Sequence, residues 1–159
     1  MDDQPGPFAG YRTTVPAEWL DYNGHMHDAS YGIALSDANE VVFAALGLSR
    51  EYREQTAASL YTVEYHIRYL AECGLGQALS AKTLVLAASA KWVHLYTELV
   101  RDGSDVAATG ESLYLHVDTA RGVTTALPAD RQHRVQAMVA AHAGLPRPSH
   151  LGRGVGARA

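Results

Sequence analysis

The stretch 21-DYNGHMHDASYGIALSDANEVVFAALG-47 decides how this chain folds. In its second half Ile33, Ala34, Ala38, Val41, Val42, Ala45 and Leu46 recur at helical spacing from Ala29 onward. That predicts one long apolar helix running to Gly47, a residue able to close it in the left-handed conformation. The first half has a different character. Asp21, Asn23, Gly24, His25, His27 and Asp28 crowd into a loop that turns directly into the helix. Asp28 stands where an N-cap would accept a hydrogen bond from a first-turn amide. Three readings follow: a metal site, an acid–base or nucleophilic site fed by a helix N-terminus, or a solvated turn with no chemistry.

Upstream, residues 1–10 (MDDQPGPFAG) are polar and rich in Pro and Gly, a flexible lead-in. YRTTV, 11–15, reads as a short β-branched strand closed by Pro16. Downstream, SREYREQTAA, 49–58, is a short helical or irregular connection, and from residue 59 the period changes. SLYTVEYHIRYL (59–70), QALSAKTLVLAASA (77–90), KWVHLYTELVRDG (91–103) and DVAATGESLYLHVD (105–118) are rich in Val, Leu, Tyr and Thr and alternate. They predict four strands in antiparallel succession joined by tight turns. ALPADRQHRVQAMVAAHAG, 126–144, supplies a final helix with Pro128 near its first position, and 145–159 is a polar, mobile tail. The expected class is α+β, one domain over 11–144, in which an antiparallel sheet wraps around a long central helix. Such an open sheet leaves an edge strand that a second copy would cover, so a homodimer or homotetramer is expected.

Composition narrows the function. With 159 residues, 47% hydrophobic and 19% charged, the chain can build a real core. A net charge of −4 and a pI near 6.0 offer no basic stripe for nucleic acid. No apolar run approaches the roughly 18 residues of a membrane span. One cysteine, Cys73, and no charged-then-apolar leader make a reducing cytoplasm the expected compartment. Neither a phosphate-binding G-x-x-x-x-G-K-[ST] loop nor a G-x-S-x-G nucleophile elbow occurs.

The loop itself suits acyl transfer. A helix N-terminus offers unpaired amides and a favourable dipole to a developing oxyanion. A carboxylate a few residues upstream on a glycine-flexed loop can reach the other face of the same carbonyl, and a thiolate leaves readily. Each residue also has a plain structural reading: Asp21 as an Asx turn, His25 as a packed imidazole, Asp28 as a cap. Ligation by His25, His27 and either Asp21 or Asp28 lacks the further spaced Asp and His of hydrolytic zinc loops, so neither metal nor cofactor is expected.

A strand, then D-x-x-G-H at 21–25, a Tyr-containing helix start, YTVEYHIRYL at 61–70 and GESLYLHVD at 110–118 follow in order. Over roughly residues 10–140 the chain thereby resembles hot-dog-fold acyl-CoA thioesterases of the 4-hydroxybenzoyl-CoA thioesterase type. VPAEWLDYNGHM at 15–26, with HIRYL and LHVD, is similar to the betainyl-CoA thioesterases of carnitine breakdown. The resemblance implies a hot-dog fold, an acyl-CoA substrate and thioester hydrolysis. It makes Asp21 the nucleophile or general base, Gly24 the turn residue, His25 the histidine that follows it and Tyr31 the motif tyrosine. The oxyanion amide falls near Asp28. His27 stands where the family often has Asn, and Asp37 on the helix is a reserve nucleophile.

Trp19, Tyr22 and Tyr61 are candidate substrate-lining rings for a trimethylammonium group. Arg50, Arg53, Arg68 and Lys91 are candidates for the CoA phosphates. His66, His94 and His116 read as structural, and Cys73 as incidental. Two alternatives stand beside hydrolysis. A hot-dog hydratase would use D-x-N-x-x-H, but Met26 occupies that histidine's position. An acyl-CoA binding module without catalysis would keep the fold alone.

Overall fold

A computed structural model describes residues 6–155. In chain order the elements are β1 (Arg12–Thr14), a 3-10 turn (Ala17–Trp19), α1 (Asp28–Ala45), α2 (Arg50–Thr56), β2 (Ala58–Tyr69), β3 (Ala78–Ala88), β4 (Trp92–Arg101), β5 (Asp105–Asp118), β6 (Val123–Thr124) and α3 (Ala129–His142). The first five strands form an antiparallel sheet in the order β1-β3-β4-β5-β2, with β6 hanging from β5. The sheet curls around α1, as expected for an α+β hot-dog fold.

Strand order departs from simple succession. β3, β4 and β5 are a meander, but β2 pairs with β5, from Ala58↔Asp118 to Tyr69↔Ala108, and not with β3. The stretch 70–77, expected to be a tight turn, crosses instead from one sheet edge to the other. Its backbone groups pair with distant partners: Met26 N–H donates to the Cys73 carbonyl (2.7 Å), Val15 N–H to Gln77 (3.0 Å) and Gly76 N–H to Val15 (2.9 Å). Those bonds satisfy a connection that no hairpin could.

The central helix is specified at both ends. At its C-terminus Gly47 has φ +77, its N–H bonds the Ala44 carbonyl (3.0 Å) and Leu48 N–H bonds that of Phe43 (2.8 Å), the paired closure of a Schellman motif. The N-cap is His27 and not Asp28: His27 has extended dihedrals (φ −59, ψ 145), and Asp28 is already helical. The bonding in the first turn therefore shifts by one residue, because a capping side chain must stand outside the helical dihedrals.

Tyr31, Ala34, Leu35, Ala38, Val42 and Phe43 bury one face of α1 against the sheet. Two apolar clusters result. The N-terminal half packs with Met26, Cys73, Leu79 and Leu99; the C-terminal half packs with Val85, Val93, Leu95, Tyr114 and Val135. Between them lies a buried polar array: Asn39 Nδ2 donates to Tyr114 Oη (2.8 Å), and Thr97 Oγ1 donates to Asn39 Oδ1 (2.7 Å).

Phe8 in the lead-in pairs with Thr83. Beyond α3, the tail crosses the sheet face turned away from α1, where Gly152 N–H donates to the Glu111 carboxylate (2.9 Å) and His150 packs on Tyr96. The remaining residues of the lead-in and tail, 1–5 and 156–159, lie outside the described residues. Among the described residues no helix is long and apolar enough to cross a membrane.

Candidate active site

The loop between the 3-10 turn and α1 is a miniature hairpin. Leu20 and Met26 pair across it, Asp21 N–H donates to the His25 carbonyl (2.8 Å), and Gly24 N–H donates to the Asp21 carbonyl (3.0 Å). Gly24 makes the reversal at φ +79, a conformation that costs any residue with a Cβ about 1 kcal/mol or more. Three anchors fix the hairpin to the fold. Met26 is buried in the core, its N–H bonds Cys73, and His27 N–H donates to the Trp19 carbonyl (2.8 Å).

Asp21 sits at the base of this hairpin with its carboxylate open to solvent on one side. Asn23 N–H donates to Oδ1 (2.8 Å) and Asn23 Nδ2 approaches Oδ2 (3.5 Å). The Asn23 backbone amide, followed by the Asn23 side chain, the His25 amide and nearby His27, holds the Asp21 carboxyl below the ordinary carboxylate range. It is a carboxylate whenever the protein is near neutrality. The Asx turn is thus real, and it leaves Oδ2 the more lightly engaged oxygen.

At the start of α1, Ala29 N–H points at Asp28 Oδ1 (2.8 Å) and His27 Nδ1 (3.1 Å), and Ser30 N–H bonds the His27 carbonyl (2.9 Å). Asp28 N–H makes no hydrogen bond among the described residues. One amide at the positive end of an 18-residue helix is therefore free to donate.

The flanking residues divide into those that reach this corner and those that do not. His25, half-exposed, directs Nδ1 towards Glu72 (3.5 Å), tying the hairpin to the 70–77 crossing. Tyr31 is buried, its hydroxyl donates to the Ala71 carbonyl (3.0 Å), and burial pushes that hydroxyl's pKa well up, so it stays protonated. Trp19 packs against the core beside α1, whereas Tyr22 is 97% exposed on the hairpin tip. Tyr61 is not brought to the loop. Its neighbour Leu60 packs in the second apolar cluster, so Tyr61 points to the opposite face, about 26 Å along β2 from Tyr69.

Asp37 is exposed on α1, about 14 Å along the helix from its first residue. Burial, then Glu40, raises its pKa. Arg53 is paired with Glu40 (2.8 Å) and Arg50 with Glu54 (2.9 Å), Arg68 is half-buried and Lys91 is exposed.

His116 is buried between Tyr52 Oη (2.9 Å) and the Thr125 carbonyl (3.0 Å), His94 pairs with Glu111 (2.9 Å), and His66 is half-buried on β2. Cys73 is buried and its thiol pKa is raised by that burial. His25 and His27 turn to different carboxylates, and among the described residues no three His, Cys, Asp or Glu side chains converge as metal ligands. Met26, at the histidine position of a hydratase loop, is 5% exposed and belongs to the core.

Tyr69 escaped the sequence reading. It ends β2, and its ring stands perpendicular to Tyr31 with centroids 5.5 Å apart. No local spacing links residues 31 and 69; the packing of α1 against the β2 side of the curled sheet brings them together.

Residues 15–138 match the thioesterase-like superfamily. The chain belongs to that superfamily. Among curated relatives, the betainyl-CoA thioesterase of Pseudomonas aeruginosa PAO1 is 35% identical over 147 residues, covering 92% of each chain. An L-carnitine dehydrogenase/betainyl-CoA thioesterase of Rhizobium meliloti is 37% identical over 155 residues, 97% of this chain. The chain spans 31% of that longer relative. A Staphylococcus aureus protein solved in complex with CoA superposes with a TM-score of 0.88 at 27% identity, covering 96% of this chain and 97% of that one.

Proposed function

We propose that this member of the thioesterase-like superfamily hydrolyses a small acyl-CoA thioester, betainyl-CoA being the favoured substrate, with Asp21 as nucleophile or general base. The reading is carried by a fixed, ionised Asp21 carboxylate on the loop that leads into α1, together with the unbonded Asp28 amide at the head of that helix. The relatives named betainyl-CoA thioesterase support the acyl group, and the CoA-bound fold neighbour supports the carrier.

In the water route, Asp21 takes a proton from water as the water oxygen bonds the carbonyl carbon. In the covalent route, the carboxylate oxygen forms that bond and water later opens the anhydride. Either way the carbonyl oxygen becomes an oxyanion held by the Asp28 amide, the C–S bond breaks, and its electron pair leaves with the CoA sulfur. Such a donor is worth about 2.7–4 kcal/mol of barrier. His25 stiffens the hairpin through Glu72, Gly24 sets its turn, and buried Tyr31 supports the first turn of α1 behind the Asp28 amide.

Asp21→Asn keeps the shape and the Asn23 contact, so it tests chemistry without disturbing the fold. Its kcat on betainyl-CoA should fall about 10²- to 10⁴-fold at unchanged melting temperature. A rate matching the wild type would remove Asp21 from the mechanism.

β2 is an edge of the sheet, twelve residues long, with Tyr61 and Val63 about half exposed. An open apolar edge invites pairing, and we place a second copy there, in a homodimer or homotetramer. Sedimentation equilibrium showing a monomer at micromolar concentration would refute this. The lone buried Cys73 suits a reducing cytoplasm.

A further inference from the structure

A substituent on the acyl group must be read beside the atoms that bind the carbonyl. In a betainyl group the quaternary nitrogen lies two bonds, roughly 2.5 Å, from the carbonyl carbon. Whatever senses its charge therefore stands at the head of α1. Of the rings expected to do so from sequence, Tyr61 points to the other face of β2, Trp19 packs into the core and Tyr22 projects into solvent.

Tyr69 is differently placed. It is 52% exposed and braced at right angles against Tyr31, the fourth residue of the helix, whose own hydroxyl is tied to Ala71. The Asp28 carboxylate is close enough to act on it: burial, and then the Asp28 charge, raises the Tyr69 hydroxyl's pKa. The segment that builds this corner is rich in carboxylates, with Glu40 paired to Arg53 and Arg101 held on the Glu72 carbonyl behind it. Between Thr13 and Ser49 the chain carries five carboxylates, Glu18, Asp21, Asp28, Asp37 and Glu40, and no lysine or arginine. An anionic acyl group is repelled there, whereas a cation gains from both the ring and the field.

We propose that Tyr69 is the specificity-determining residue for a cationic acyl group, its ring meeting a quaternary ammonium held beside the Asp28 carboxylate. This rests on the reading of Asp21 and the Asp28 amide as the thioester site. The phenol hydroxyl is not required; the ring is.

The test compares kcat/KM for betainyl-CoA and for 3,3-dimethylbutyryl-CoA, which has the same shape with carbon in place of the charged nitrogen. Tyr69→Leu should lower betainyl-CoA turnover about tenfold, the scale of one ring–cation contact. It should leave the neutral isostere within about twofold. Tyr69→Phe should keep the wild-type preference. Tyr69→Gln repeats the loss without adding apolar surface, should the leucine variant fold poorly. An equal loss on both substrates, or an unchanged preference in both the Leu and Gln variants, overturns the Tyr69 assignment and leaves Asp21 untouched. Wild-type protein that hydrolyses neither thioester overturns the thioesterase reading and this inference together.

Discussion

Replacing Asn39 with leucine tests how α1 is fastened to the sheet. Asn39 is fully buried and joins the helix to two strands, through Tyr114 Oη on β5 (2.8 Å) and Thr97 Oγ1 on β4 (2.7 Å). Thr97 in turn meets Thr83 on β3 (3.0 Å). Leucine has the same branched skeleton with bulkier methyl groups, so no cavity opens; the loss is polar, and any overpacking adds to it. The Tyr114 hydroxyl is orphaned outright, whereas Thr97 keeps Thr83 as a partner. At about 1–3 kcal/mol for each group left unsatisfied, and the low end for Thr97, Asn39→Leu should cost about 2–4 kcal/mol.

Tyr114→Phe alone should cost about 1–2 kcal/mol by the same reasoning. The double variant removes both ends of one bond, so it should be more stable than the sum of the singles predicts by about 1–2 kcal/mol. The assay is urea unfolding at one fixed protein concentration, which removes any contribution of self-association to the comparison. A single-variant loss below about 0.5 kcal/mol, or strict additivity in the cycle, would refute the account of Asn39 as the pin between helix and sheet.

Gly110 faces α1 across the sheet, and a Cβ there would lie 2.8 Å from Tyr65 Cε2 and 3.2 Å from Leu35 Cδ1. Gly110→Ala should therefore lower stability by about 1–3 kcal/mol, measured as a lower urea midpoint; an unchanged midpoint would show that Tyr65 swings clear. His142 is buried and accepts Val85 N–H at Nδ1 (2.9 Å), and burial holds its pKa below the usual histidine value. A depressed folded-state pKa contributes stability that is complete above about pH 6.5 and is lost as pH falls towards the folded value. His142→Asn, which can accept the same bond without titrating, should flatten the drop in melting temperature between pH 7 and 5. Parallel pH profiles for the two proteins would count against it.

Much of the candidate site's geometry was legible in the chain because its parts are local. Asp21, Asn23, Gly24 and His25 bond one another within five residues, and an Asx turn with a positive-φ glycine needs no distant partner. One local detail misled. His27 and Asp28 are both able to cap, and the choice between them depends on which residue first adopts helical dihedrals. That is set by the Trp19 carbonyl holding His27 N–H, a contact between turn and helix. Met26 and Cys73 join the loop to the 70–77 crossing, and nothing in the spacing of either segment announces the other.

The sequence by itself determined the long helix with its glycine closure, the strands' existence and the 21–27 hairpin, since each depends on side-chain periodicity and dihedral preference over a few residues. Tertiary structure alone decided that β2 pairs with β5, that Asn39 is buried among hydroxyls, and that Tyr69 stands beside Tyr31. Those outcomes depend on which edges meet once the sheet curls around α1. Strand pairing joins residues about 40 to 60 positions apart by backbone bonds that are the same for nearly every side chain, so the one-dimensional pattern carries no trace of the partner.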